Sequence, residues 1–186
     1  MEKIPQSPKV VITGGPGMGK TTIITAMSAQ GYNCIPEVGR RIIQQQICVQ
    51  GNKLPWVDPL AFAQTMFEHA VIDYENCSQS HINAPIFFDR GIPDVMGYLT
   101  LSGLEIPDQI LDSAKKYTYF PKVFITPPWE DIYVNDTERK QSFDEAIATY
   151  LTMEQTYIKL GYTLINIPRV SVSERVRFIL SQISQN

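Results

Sequence analysis

Short apolar runs alternate along this chain with longer stretches whose apolar residues recur at helical spacing. Residues 10–13, 32–36, 85–89, 122–126 and 163–167 read as strands. The third, PIFFD, is too short and too apolar for anything but a buried strand. Between them the pattern predicts helices over 20–30, 40–50, 59–80, 94–101, 108–117, 143–160 and 172–183. In the third of these Leu60, Ala63, Phe67, Ala70, Val71 and Tyr74 share a stripe; Gly31, Gly51 and Gly161 close three others. Strands that alternate with helices imply an α/β fold with a parallel sheet covered on both faces. No repeat, linker or second domain interrupts it, so residues 1–186 read as a single domain. Residues 127–142, PPWEDIYVNDTERKQS, are polar and punctuated and read as an exposed excursion.

Composition narrows the partners. Lys+Arg of 16 against Asp+Glu of 19 gives a net charge of -3, and no basic run stands out, which argues against nucleic acid. No apolar segment approaches the ~18 residues that span a bilayer, and the first residues lack a signal-peptide centre, so a membrane is not expected and a cytoplasmic setting is. Cys34, Cys48 and Cys77 form no C-x-x-C pair and read as reduced thiols. With only His69 and His81 besides, a zinc site held by the protein is not expected. The sequence leaves a homodimer open.

Chemistry concentrates where the first strand ends. Gly14, Gly15, Pro16, Gly17, Met18, Gly19, Lys20 and Thr21 match G-x-x-x-x-G-K-[ST] at every fixed position, with Thr22 following in the helix. This is a P-loop: its backbone N–H groups converge on phosphate oxygens, and the helix adds the positive end of its dipole. Lys20 is expected to reach the β- and γ-phosphates of ATP, and the Thr21 hydroxyl to ligate Mg²⁺. In a parallel sheet ligands lie beyond the carboxyl ends of the strands, which draws in Glu37, Asp89, Arg90, the 127–142 excursion and residues 168–171.

With this P-loop, the strand-ending Glu37, the Asp89-Arg90 pair and the late Arg139, the chain resembles the nucleoside and nucleotide kinases among P-loop phosphotransferases. It is most similar to ribosylnicotinamide kinase-like domains and to a related group of small AAA-domain ATPases. The resemblance implies a three-layer α/β/α P-loop NTPase fold whose five strands lie in the order 2-3-1-4-5. It also implies a lid near 127–142, ATP as donor, and a small nucleoside- or nucleotide-like acceptor. Asp89 would be the acid holding Mg²⁺, directly or through water; a turn or helix-capping role is the plainer alternative. Arg90 would contact a transferring or acceptor phosphate, or else form a salt bridge that shapes the turn. Glu37 would be the base that takes the acceptor proton, unless it is a solvated carboxylate or the ion-pair partner of Arg40 or Arg41. Arg139, with Lys140 as competitor, would close over the phosphates from the lid.

Several further expectations attach to these segments. Ser142 and Glu145 have capping-box spacing, Ser171 or Ser173 is expected to cap the last helix, and residues 168–171 would lie near the adenine. Trp56, Trp129 and Tyr133 could stack on a flat acceptor ring or simply pack. Asp89-Arg90 lacks the Asp-Glu of AAA+ machines, and no N-K-x-D motif marks a GTPase. The competing function is a regulatory module that binds ATP, hydrolyses it slowly and acts through a protein partner.

Overall fold

A computed structural model describes residues 7–77, 84–133 and 142–184. Lys9–Gly14 (β1) enters the phosphate loop, followed by Lys20–Ala29 (α1), Asn33–Ile35 (β2), Val38–Cys48 (α2) and Pro59–Cys77 (α3). Ile86–Asp89 (β3), Ile92–Leu101 (α4), Asp108–Lys116 (α5) and Lys122–Thr126 (β4) come next. A 3-10 turn at Glu130–Ile132 precedes Phe143–Lys159 (α6), Thr163–Asn166 (β5) and Val172–Ile183 (α7). The turn was not foreseen. α2 starts two residues earlier than its apolar pattern suggests, its first turn taking in Val38 and Gly39, and Glu37, expected to end the second strand, lies two residues beyond β2 at the N-cap of α2.

All four strand pairings are parallel, and the sheet order is β2-β3-β1-β4-β5, as the resemblance implies. β1 lies at the centre, and Val10, Val11 and Ile12 are each 0% exposed, so this strand is covered from above and below. Its alternation divides the core. Val10 and Ile12 face one layer with Phe87, Phe124, Ile23 and Ile179, which places α1 and α7 on that side. Val11 faces the other with Phe88, Val123, Phe67, Leu99 and Tyr157, which places α3, α4 and α6 opposite. A smaller cluster of Ile42, Ile43, Leu54 and Phe62 ties α2 and the loop after it to α3. No described helix is long and apolar enough to cross a membrane. The result is a three-layer sandwich that delivers the ends of β1, β2 and β3 to one edge.

Candidate functional site

The phosphate loop leaves β1 through Gly14, whose φ of 127° is closed to most side chains; a Cβ there would stand 2.4 Å from Thr126 Oγ1. It enters α1 through Gly19, at φ 76°, where a Cβ would lie 2.8 Å from an Arg175 guanidinium nitrogen. Glycine is thus favoured at both ends of the loop by conformation, and at Gly14 by space as well, since the Thr126 carbonyl would stand 2.7 Å from that Cβ. Among the described residues no side chain caps α1 and no acid lies in its first turn. α6 and α7, by contrast, carry complete capping boxes, Ser142 with Glu145 and Ser171 with Glu174. The open amides of α1 therefore keep their affinity for an anion.

Lys20 is buried, and its Nζ donates to the Gly15 carbonyl across 2.6 Å. Burial, aided by the nearby Arg90, pulls its pKa down to about 8 against the opposing pull of Asp89, Glu37 and Asp94. Asp89 ends β3 with 3% exposure, and its Oδ1 is buried without a hydrogen-bond partner among the described residues. Burial first, and Glu37 second, push its pKa up to about 6, while Lys20 and Arg90 act in the opposite sense. A buried orphan carboxylate oxygen is costly unless something comes to meet it, and a cation does that. The residues therefore fit Mg²⁺: Asp89 and the exposed Thr21 offer hard oxygens, as such an ion requires. No group of three or more His, Cys, Asp or Glu is gathered to hold a metal among the described residues, so phosphate and water oxygens would complete the shell.

Arg90 adopts φ 74°, the left-handed region in which arginine is rare. Two carboxylates hold it there: its Nε donates to Glu37 Oε1 at 3.2 Å and its NH1 to Asp94 Oδ1 at 3.3 Å. Burial alone would lower its pKa, yet Glu37, Asp94 and Asp89 outweigh burial and raise it above the ordinary value. The salt bridge expected as an alternative for Arg90 is therefore formed, and its partner is the Glu37 proposed as a base. Arg41, one of the two arginines named as alternative partners of Glu37, pairs with Asp73 at 2.7 Å.

Asp94 was missed in the sequence, where it is a lone acid in the apolar helix IPDVMGYLTL. The structure makes it a hub. Its Oδ2 accepts from Gly91 N at 2.8 Å and from Tyr157 OH at 2.6 Å, while its Oδ1 accepts from Thr13 Oγ1 as well as from Arg90. Tyr157, fully buried, has its pKa raised by burial and by Asp94. One carboxylate thus joins β1, the β3–α4 turn and α6. Its position three residues after Gly91, where an acid reaches back to the start of a helix, was the signal available.

A cavity of about 510 Å³ opens beside this cluster, with Pro16 of the phosphate loop, Glu37, Asp89 and Arg90 along one wall. Val38, Phe62, Met66, Val95 and Tyr98 supply much of the rest, and Trp56, 58% exposed, stands at its margin. Trp129 and Tyr133 do not line it. Trp129 packs by the phosphate loop, its backbone N–H donating to Met18 Sδ at 3.1 Å and its ring lying 4.6 Å beneath the Arg175 guanidinium; Tyr133 packs on Phe143. Arg175 was not anticipated either, since nothing in the sequence SERVRF separates it from Arg177. Arg139, Lys140 and half of the expected lid, residues 134–141, lie outside the described residues.

A family model described as an AAA domain matches residues 9–175. No curated protein matches the chain by sequence. Among solved structures, the NadR protein in complex with NR superposes with a TM-score of 0.68 at 12% identity, over 98% of this chain and 52% of that one. Thymidylate kinase from Ehrlichia chaffeensis gives 0.64 at 14% identity, over 97% and 100%. Deoxyadenosine kinase from M. mycoides, with its products bound, gives 0.59 at 15% identity, over 96% and 100%. At these identities the likeness is one of fold.

Proposed function

This chain belongs to the AAA-domain family whose model it matches, and from that premise we propose that it is an ATP-dependent phosphotransferase acting on a small nucleoside-like or nucleotide-like hydroxyl compound. The observation that carries the reading is the junction of two sites at Asp89-Arg90. The phosphate loop lies on one side, and a largely apolar cavity that shares Pro16 with that loop lies on the other. A module that only sensed nucleotide would need the first and not the second. That the neighbouring folds include kinases for deoxyadenosine and thymidylate supports the same choice.

In this reading the loop amides and Lys20 bind the donor phosphates, Lys20 exchanging its Gly15 carbonyl for phosphate oxygen. Thr21 and Asp89 would hold Mg²⁺, which when bound offsets charge on the phosphates. The acceptor hydroxyl oxygen bonds to the γ-phosphorus as the bond to the bridging oxygen breaks, and ADP leaves with that electron pair. Glu37 takes the hydroxyl proton, positioned by Arg90 at 3.2 Å. Arg90 also brings positive charge to the edge where the phosphoryl group moves. Arg139 is proposed to add a second cation from the lid, and closure there would exclude water.

The test is ADP release from ATP-Mg²⁺, alone and with nucleosides, ribosylnicotinamide, nucleoside monophosphates and small sugars, with the product weighed by mass spectrometry. Acceptor-dependent release with a product heavier by one phosphoryl group is expected. Slow release indifferent to every acceptor would overturn the kinase reading in favour of the regulatory ATPase.

A further inference from the structure

Resting on that transfer reaction, we propose that the acceptor is an uncharged, flat-ringed hydroxyl compound of nucleoside type, and that its phosphorylated counterpart is excluded by the charge of the cavity. A phosphorylated acceptor must bring at least one further negative charge into the pocket, and a kinase for such a molecule needs a cation to receive it. Among the described residues lining the cavity there are four carboxylates, Glu37, Asp89, Asp94 and Glu145, against the single cation Arg90. Arg90 is itself engaged by two of those acids, through Nε to Glu37 and NH1 to Asp94.

Two further cations among the described residues are committed elsewhere. Lys20 belongs to the phosphate loop, and Arg41 is tied to Asp73 at 2.7 Å on the exposed side of α2. An acceptor phosphate approaching Arg90 would therefore meet Glu37 and Asp94 with it, Asp89 being given to Mg²⁺ in the proposed reaction, in a setting buried enough that water screens them little. Like charges brought together in this way cost affinity. The remaining wall favours the opposite kind of group. Phe62 and Tyr98 meet edge to face with ring centroids 5.4 Å apart, Met66 and Val95 are apolar, and Trp56 stands at the margin. These side chains offer area to a planar, uncharged ring and little to a dianion. The volume, about 510 Å³, falls in the range of ordinary small-molecule sites. The inference concerns the acceptor alone; the donor phosphates are received by the open amides of α1 and by Lys20.

Matched pairs test it on the unmodified protein: each nucleoside against its own 5′-monophosphate, with saturating ATP-Mg²⁺ and mass detection of the product. The expectation is that kcat/KM for an accepted nucleoside exceeds that for its monophosphate by about tenfold or more. Equal or preferred use of the monophosphate would overturn this inference while leaving the kinase reading intact. ADP release indifferent to both members of every pair would remove the kinase reading, and this inference with it.

Discussion

Arg90 Nε and Glu37 Oε1, 53 positions apart in the chain, meet at 3.2 Å with both side chains largely buried. The contact spans the carboxyl ends of β2 and β3 and fixes a left-handed arginine beside the acid proposed to accept a proton. It gives Glu37 a fixed place among the residues that line the cavity.

Replacing Glu37 by Gln keeps the shape and an oxygen for Arg90 while removing the base. Transfer is expected to fall by about 10² to 10⁴ with ATP affinity retained. Rapid-quench transfer rates and a nucleotide titration check this; unchanged transfer would return Glu37 to a purely structural role.

Asp94→Ala would strip acceptors from Thr13, Gly91 N, Arg90 and Tyr157 together. A loss of about 3–5 kcal/mol in urea unfolding is expected, because a buried guanidinium loses a partner. Tyr157→Phe deletes one of those four donors and is expected to cost about 1 kcal/mol. Equal effects of the two variants would deny Asp94 its central place.

Asp89 makes stability depend on pH with a definite sign. Folded, it loses its proton near 6; unfolded, near its ordinary value of 3.8. Between these pH values the folded chain holds a proton that the unfolded chain has released, so this group's contribution to stability falls as pH rises from about 4 to about 6. Above that range the penalty stays constant. Asp89→Asn is therefore expected to stabilise the nucleotide-free protein at pH 7 by about 1–3 kcal/mol, and to weaken its dependence on Mg²⁺ for nucleotide binding. Denaturant midpoints of the two proteins from pH 4 to 8 check it; a less stable Asn variant at pH 7 would contradict the origin assigned to the shift.

Lys20→Ala should lose ATP-Mg²⁺ binding, and full retention would remove the phosphate-loop assignment. In the native protein the charged ammonium is the form that binds phosphate, and burial has pulled its pKa to about 8. Affinity for nucleotide is accordingly expected to decline as pH rises through 8, a limb that calorimetric titration between pH 7 and 9 would show.

Sequence carried the architecture further than it carried the site. The five strands are legible because each is a short apolar run with a glycine, a proline or a charge at its border, and helical spacing fills the intervals between them. The phosphate loop is legible because its glycines are demanded by backbone conformation and close packing, constraints that a local pattern records. Asp94 and Arg175 escape because much of their meaning is long-range. Asp94 matters through Tyr157, 63 positions away, and Arg175 through Gly19 and Trp129. For Trp129 the sequence leaves stacking on an acceptor ring and simple packing both open for the same reason: adjacency to a strand end does not say which way a side chain turns. In the fold it turns to Met18 and Arg175.

That turn leaves the chain's only two tryptophans in different surroundings, Trp129 against the phosphate loop under a cation and Trp56 at the cavity margin. Each indole therefore emits from beside a different ligand. In Trp56→Phe the surviving emission follows the donor, and in Trp129→Phe it follows the acceptor. Stopped-flow traces of the two variants would give the order in which the ligands arrive, without a dye or a label.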